Sequence, residues 1–168
     1  ELLNLVPQAY VGDAVSFPTV YKEEVTEEEL NNYRTSVKQH IMTEGALSAN
    51  VNMDYGYNYY TNALNNTDTY MANHAITLIG WDDTYSKENF AEGYQPQEDG
   101  AYIALNSWGE EFGDSGIFYI SYEDILVDTY VCGLVGAVTE EVANDVVEFE
   151  DINLYNAIKS QFEEYIIS

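Results

Sequence analysis

The sequence predicts an α+β domain, mostly antiparallel β with one packed helix, and three observations carry that expectation. A helix-start signature at Thr26-Glu27-Glu28-Glu29 opens the one long run of helical spacing ahead of residue 140. Five short strand-like runs follow it, and polar segments or Gly and Pro separate them. At 168 residues the chain has the size of one domain, which buries roughly 68–70% of its unfolded surface and needs no staple to hold a core.

The elements follow in order. Residues 1–25, where Pro7, Gly12 and Pro18 space out apolar pairs, read as an extended lead-in. The Thr26 hydroxyl and the Glu29 carboxylate can satisfy free amides at a helix start, Leu30, Tyr33, Val37 and Ile41 then keep helical spacing, and Gly45 ends the run. Residues 46–53 alternate as a strand, and the Tyr/Asn-rich stretch after them, with Gly56 inside, reads as a long ordered loop. Strands are expected over 75–81, 101–105, 116–122 and 131–138. The polar, Pro/Gly-punctuated segment 82–100 reads as a hairpin connection that tolerates shortening. After the acidic break "EFED", Leu154, Ile158, Phe162 and Tyr165 or Ile166 mark an amphipathic helix, an appendage or a link to something beyond. The organisation expected is therefore a lead-in over 1–25, a domain over 26–142 and an acidic break with a helix over 143–168. No internal repeat is present.

Thirty acidic residues against five basic ones give a formal charge of -25, which excludes a nucleic-acid partner because phosphate binding requires a basic face. No apolar run approaches the length of a membrane span, and the start at Glu1 reads as processed or excised. Cys132 is the lone cysteine, so no disulfide forms within the chain. Its apolar setting, "YVCGLVGAV", predicts a buried, protonated thiol that resists alkylation. Asp82 and Asp83 lack the ligand count and spacing of a metal site, and no metal or cofactor is expected.

Two histidines remain. His40 occupies a polar helix position and reads as structural, whereas His74 opens the apolar run "HAITLIGW", where an imidazole gains little from solvent. An imidazole acts as general acid or base only when a partner fixes its tautomer and orientation. Asn106, at the end of the next strand-like run, is the candidate partner, and Trp108 can cover the pair from water.

The blocks "NHAITLIGWDD" and "GAYIALNSWGEEFGDSGIFYISY", in that order, resemble the His and Asn blocks of papain-like cysteine peptidases. The resemblance extends back through "VKQHIMTEGALSANVNMDYG", so it covers roughly 26–122, and the wording "GWDDTYSKENF" is similar to bacterial secreted or surface members. It implies the right-hand, β-barrel-like half of that fold, lacking most of the helical left-hand half. His74 is then the base and imidazolium partner of a cysteine thiolate, Asn106 the amide that orients it, and Trp108 the ring shielding their hydrogen bond. Asn50 and Ala75 would line the pocket for the second substrate residue upstream of the cut, with Asn73 at its rim. Leu105 stands where members usually have Lys and Phe112 where they often have Trp. No cysteine precedes His74, and neither Gln8 nor Gln39 is followed by one. The resemblance thus implies a Cys-bearing N-terminal half or chain as partner, protein or peptide substrates, an extracellular or cell-surface location, and an isolated chain without activity. A second reading is a non-catalytic homologue that binds peptides, and a third is a structural cell-surface domain.

Overall fold

Thr26 starts the helix as its sequence requires. Its hydroxyl accepts the Glu29 N–H at 3.3 Å while its own N–H donates to Glu29 Oε2 at 2.8 Å, and three glutamates favour the positive end of the helix dipole. In the computed structural model, which describes residues 9–136 and 138–139, the helix α1 covers Glu27–Thr43. Tyr33 and Val37, one turn apart, turn into the core, and the Gly45 N–H closes the far end on His40 O at 3.2 Å. The amphipathic helix expected over 143–168 lies outside the described residues.

The strands are β1 (Ala9–Tyr10), β2 (Asp13–Ser16), β3 (Leu47–Val51), β4 (Tyr57–Asn58), β5 (Ala63–Leu64), β6 (His74–Asp82), β7 (Ala101–Leu105), β8 (Ile117–Ser121), β9 (Val131–Val135) and β10 (Val138–Thr139). Residues Asp13–Val135 form one unit, whose eight strands run in the order β2-β9-β3-β6-β7-β8-β5-β4. Every pairing is antiparallel except β5 with β8. In the other unit, β1 pairs antiparallel with β10. The right-hand α+β architecture expected from sequence is therefore present, and the sheet extends into the lead-in through β2.

The strand faces are set by alternation. Leu47, Ala49 and Val51 of β3 and Ile76 and Leu78 of β6 point into the core with Tyr102, Ala104, Phe118 and Ile120. The opposite face carries a row of directly paired residues, Ser16, Cys132, Ser48, Thr77, Leu105 and Ile117, from six neighbouring strands. Between Leu78 and Gly80 the β6–β7 register shifts by one, leaving Ile79 as a bulge.

Two sequence expectations are overturned. Cys132 is exposed rather than buried, because Val131 and Gly133 take the inward positions of β9. A Cβ at Gly133 would lie 2.4 Å from Leu47 Cδ2 and 2.6 Å from His40 Nε2, so a side chain there would have to displace both. The 82–100 connection is also no passive loop. Phe90, 2% exposed, forms a small second core with Ala63 and Ala101, and the Tyr85 ring stacks on Tyr119 at 4.0 Å. Asn65 Nδ2 donates to Tyr94 O at 2.7 Å, tying the same segment to the residue that follows β5.

Candidate active site

His74 begins β6 and Asn106 follows the last residue of β7, so two neighbouring antiparallel strands bring them together. Both have the inward parity of the core residues; His74 is half-buried and Asn106 buried. His74 Nε2 and Asn106 Oδ1 are 2.8 Å apart. The Ser107 N–H also donates to Asn106 Oδ1, at 2.7 Å, which fixes the amide: the alternative orientation would set an NH2 against an N–H. Since Oδ1 only accepts, Nε2 carries the proton, and Nδ1 is the nitrogen free to take up and release one.

The surroundings hold this pair. Asn106 is 7% exposed, its N–H donates to Gly116 O at 2.8 Å, and its Nδ2 makes no hydrogen bond among the described residues. Trp108 lies against the imidazole with ring centroids 4.6 Å apart and 35° between planes, and remains half exposed. Phe112 meets Trp108 edge-on at 5.0 Å and Tyr57 at 5.5 Å. Burial pushes the Tyr57 hydroxyl up to about 12, with Tyr59 and Tyr85 adding to the shift, so this ring is neutral.

Asn50 and Ala75 are directly opposed across β3 and β6, next to the Val51–His74 pair. Asn50 also lines a cavity of about 160 Å³ whose other walls include Ser48, Tyr130 and Cys132. Asn73 holds the approach to His74, donating its N–H to Val51 O at 3.1 Å and accepting the Met53 N–H at 3.0 Å. His74, Asn106 and Trp108 thus come together with Asn73 just ahead of them, while Asn50 and Ala75, next in register to Val51 and His74, carry the outward parity of Ser48 and Thr77. The Ser107 N–H, which locks the amide, was not singled out; its signal is adjacency to Asn106 in "NSW".

Cys132 stands apart from this cluster. It pairs with Ser48, which pairs with Thr77, two strands away from His74's strand position and three residues along it. At about 4.8 Å between strands and 3.4 Å per residue this separates the Cα atoms by about 14 Å, on opposite faces of the sheet. Among the described residues no cluster of His, Cys, Asp and Glu could hold a metal ion, and no helix is long and apolar enough to cross a membrane.

The family model described as papain family cysteine protease matches residues 13–140. The chain belongs to the papain family of cysteine proteases. Among solved structures, this papain-family chain is similar to the clostridial cysteine protease Cwp84 after propeptide cleavage, at 30% identity and a TM-score of 0.64, over 81% of this chain and 31% of that one. It is likewise similar to the cysteine protease and lectin-like domains of Cwp84, a surface layer associated protein of Clostridium difficile, at 30% identity and a TM-score of 0.63, over 81% and 28%. The chain thus spans about a third of the length of those relatives. Bromelain from Ananas comosus shares the fold, at 16% identity and a TM-score of 0.53, over 80% of this chain and 55% of that one. No curated protein matches the chain in sequence.

Proposed function

We propose that the chain supplies the His and Asn of a Cys-His-Asn peptidase site whose cysteine is carried by another segment or chain. The observation that carries this reading is the 2.8 Å contact of His74 Nε2 with Asn106 Oδ1, beneath the Trp108 ring. The cysteine thiolate attacks the scissile carbonyl carbon, and the proton on His74 Nδ1 passes to the leaving nitrogen as the C–N bond breaks, leaving a thioester. His74 Nδ1 then takes a proton from water, whose oxygen attacks the thioester carbon; the C–S bond breaks, releasing the carboxylic acid and restoring the thiolate beside the protonated His74. Asn106 acts through His74 as a positioning residue, and Trp108 shields the bond between them. Asn50, Ala75 and Asn73 receive the substrate upstream of the cut.

Two features support a partner half. No cysteine precedes His74 and Cys132 is out of reach of it. The likeness to a surface layer associated protein supports an extracellular or cell-surface location.

Intact-mass analysis of native material tests this. A covalently continuous or co-purifying segment with a reactive cysteine supports the reading; native material without one favours a peptide-binding module instead. The isolated chain is expected to be inactive. Turnover of peptides by the purified chain alone, lost in His74→Ala, would sink the split-site proposal.

A further inference from the structure

Rings lead away from His74 in one direction. Trp108 follows at 4.6 Å, Phe112 at a further 5.0 Å, Tyr57 at 5.5 Å and Tyr59 at 4.9 Å, each centroid to the next. The strand order fixes the direction. Asn50 lies on the β3 side of β6, whereas Trp108 and Phe112 follow β7 on its other side, and Tyr57 sits on β4 at that far edge of the sheet. A peptide crossing His74 with its upstream half at Asn50 and Ala75 therefore runs its downstream half along these rings. The strip ends in Tyr59, 81% exposed, and Tyr60, 98% exposed, two aromatic side chains that the fold leaves almost wholly in solvent.

Charge decides what such a strip would take. Glu110, Glu111 and Asp114 are exposed on the loop that bears Trp108 and Phe112, and Asp54 is exposed shortly before β4. The described basic side chains are engaged elsewhere: Lys22 and Arg34 with Asp128, Lys38 with Asp83, and Lys87 with Gln97 O. A strip of rings whose own loops carry exposed carboxylates, and whose described basic side chains are engaged elsewhere, suits a lysine or arginine, whose charge sits over a ring and whose stem covers it.

We propose that this strip is the platform for the peptide on the leaving-group side of the cut, and that Tyr59 and Tyr60 select a lysine or arginine within the first few residues after the scissile bond. The inference rests on the peptidase reading above for the direction in which substrate lies. It adds a specificity contributed by the turn between β4 and β5, outside the strands that carry His74 and Asn106.

The test is equilibrium binding by fluorescence anisotropy to purified native protein. The probes are two hexapeptides with a free amino terminus and a dye at the other end, one with lysine at its third and fourth positions and one with norleucine there. The lysine peptide is expected to bind about tenfold more tightly, the contribution of two exposed aromatic faces. Tyr59→Ser with Tyr60→Ser should remove most of that preference, and Glu110→Gln with Glu111→Gln should flatten its dependence on salt. Equal binding of the two peptides, or a preference that survives the tyrosine double variant, would overturn the proposal. His74→Ala separates it from the peptidase reading. If peptide turnover persists in that variant the catalytic assignment falls, and the binding contrast still decides the platform.

Discussion

Replacing Asn106 by alanine removes one acceptor that serves two donors, His74 Nε2 at 2.8 Å and the Ser107 N–H at 2.7 Å. A hydrogen bond between neutral groups contributes about 0.5–1.5 kcal/mol, and one to a charged group about 1.5–3 kcal/mol. The imidazole bears its positive charge while it pairs with the thiolate, so the bond to Asn106 favours that reactive ion pair over the neutral pair by the difference, about 1–2 kcal/mol. At 1.36 kcal/mol per tenfold this corresponds to a rate loss of about 5–30-fold, and the freed ring adds a loss of orientation. We expect kcat of the complete peptidase to fall by about 10–100-fold in Asn106→Ala, with KM within about twofold because Asn106 touches no substrate. His74→Ala, which removes the proton carrier, should cost about 10³-fold or more. Asn106→Asp keeps oxygens facing both N–H groups and should retain more activity than alanine. Steady-state kinetics on an internally quenched peptide, with melting curves to verify folding, read all three variants. An unchanged kcat in Asn106→Ala, or a loss equal to that of His74→Ala, would refute the assignment of orienter and proton carrier.

Three further outcomes follow from the fold. Cys132, on the outward face of β9, should react with iodoacetamide in the native isolated chain, at a rate that His74→Ala leaves alone, as read by peptide mass. Phe90→Ala should destabilise the protein by about 3 kcal/mol in denaturant titrations, and cutting 82–100 to a tight turn should lower the melting temperature, because Phe90 fills a core with Ala63 and Ala101. Partial burial pushes the Asp83 carboxyl up, but Lys38, Tyr122 and Trp81 together outweigh it and hold the group below its usual range. A depressed carboxylate stabilises the fold above its unfolded value of about 3.9 and loses that contribution as the pH falls through the folded value, so wild type and Asp83→Asn should differ in melting temperature at pH 6 and converge in stronger acid.

Much of this site is legible in the sequence because its parts are contiguous words. "NHAITLIGW" places His74 at a strand start and "ALNSW" places Asn106 at a strand end, so a single antiparallel pairing brings them together. The helix is legible for the same reason: Thr26 and Glu29 cap it within one turn. What escaped the sequence depends on contacts between distant segments. The two-residue strands β4 and β5 are too short to carry a period, and β2 becomes a strand through its pairing with β9. Cys132 has apolar neighbours on both sides, but its face follows from the β3–β9 register, which sets Gly133 inward against Leu47 and His40 and Cys132 outward beside Ser48. Phe90 lies in a polar segment whose composition gives no sign of the pocket that Ala63 and Ala101 offer it.

The unpaired residue at Ile79 has a consequence for how this half can vary over time. On one side of it, Thr77 faces Leu105 and Leu78 faces Ala104; on the other, Gly80 faces Ile103 and Asp82 faces Ala101. The two stretches of the same hairpin are thus out of phase by one residue. In a regular ladder, inserting or deleting a residue near the tip turns over every side chain behind it. A break in the ladder gives such a change a place to stop. The tip segment can be rewritten or remodelled for a new neighbour while the base of the hairpin, where an imidazole must meet an amide to within a few tenths of an ångström, keeps its phase.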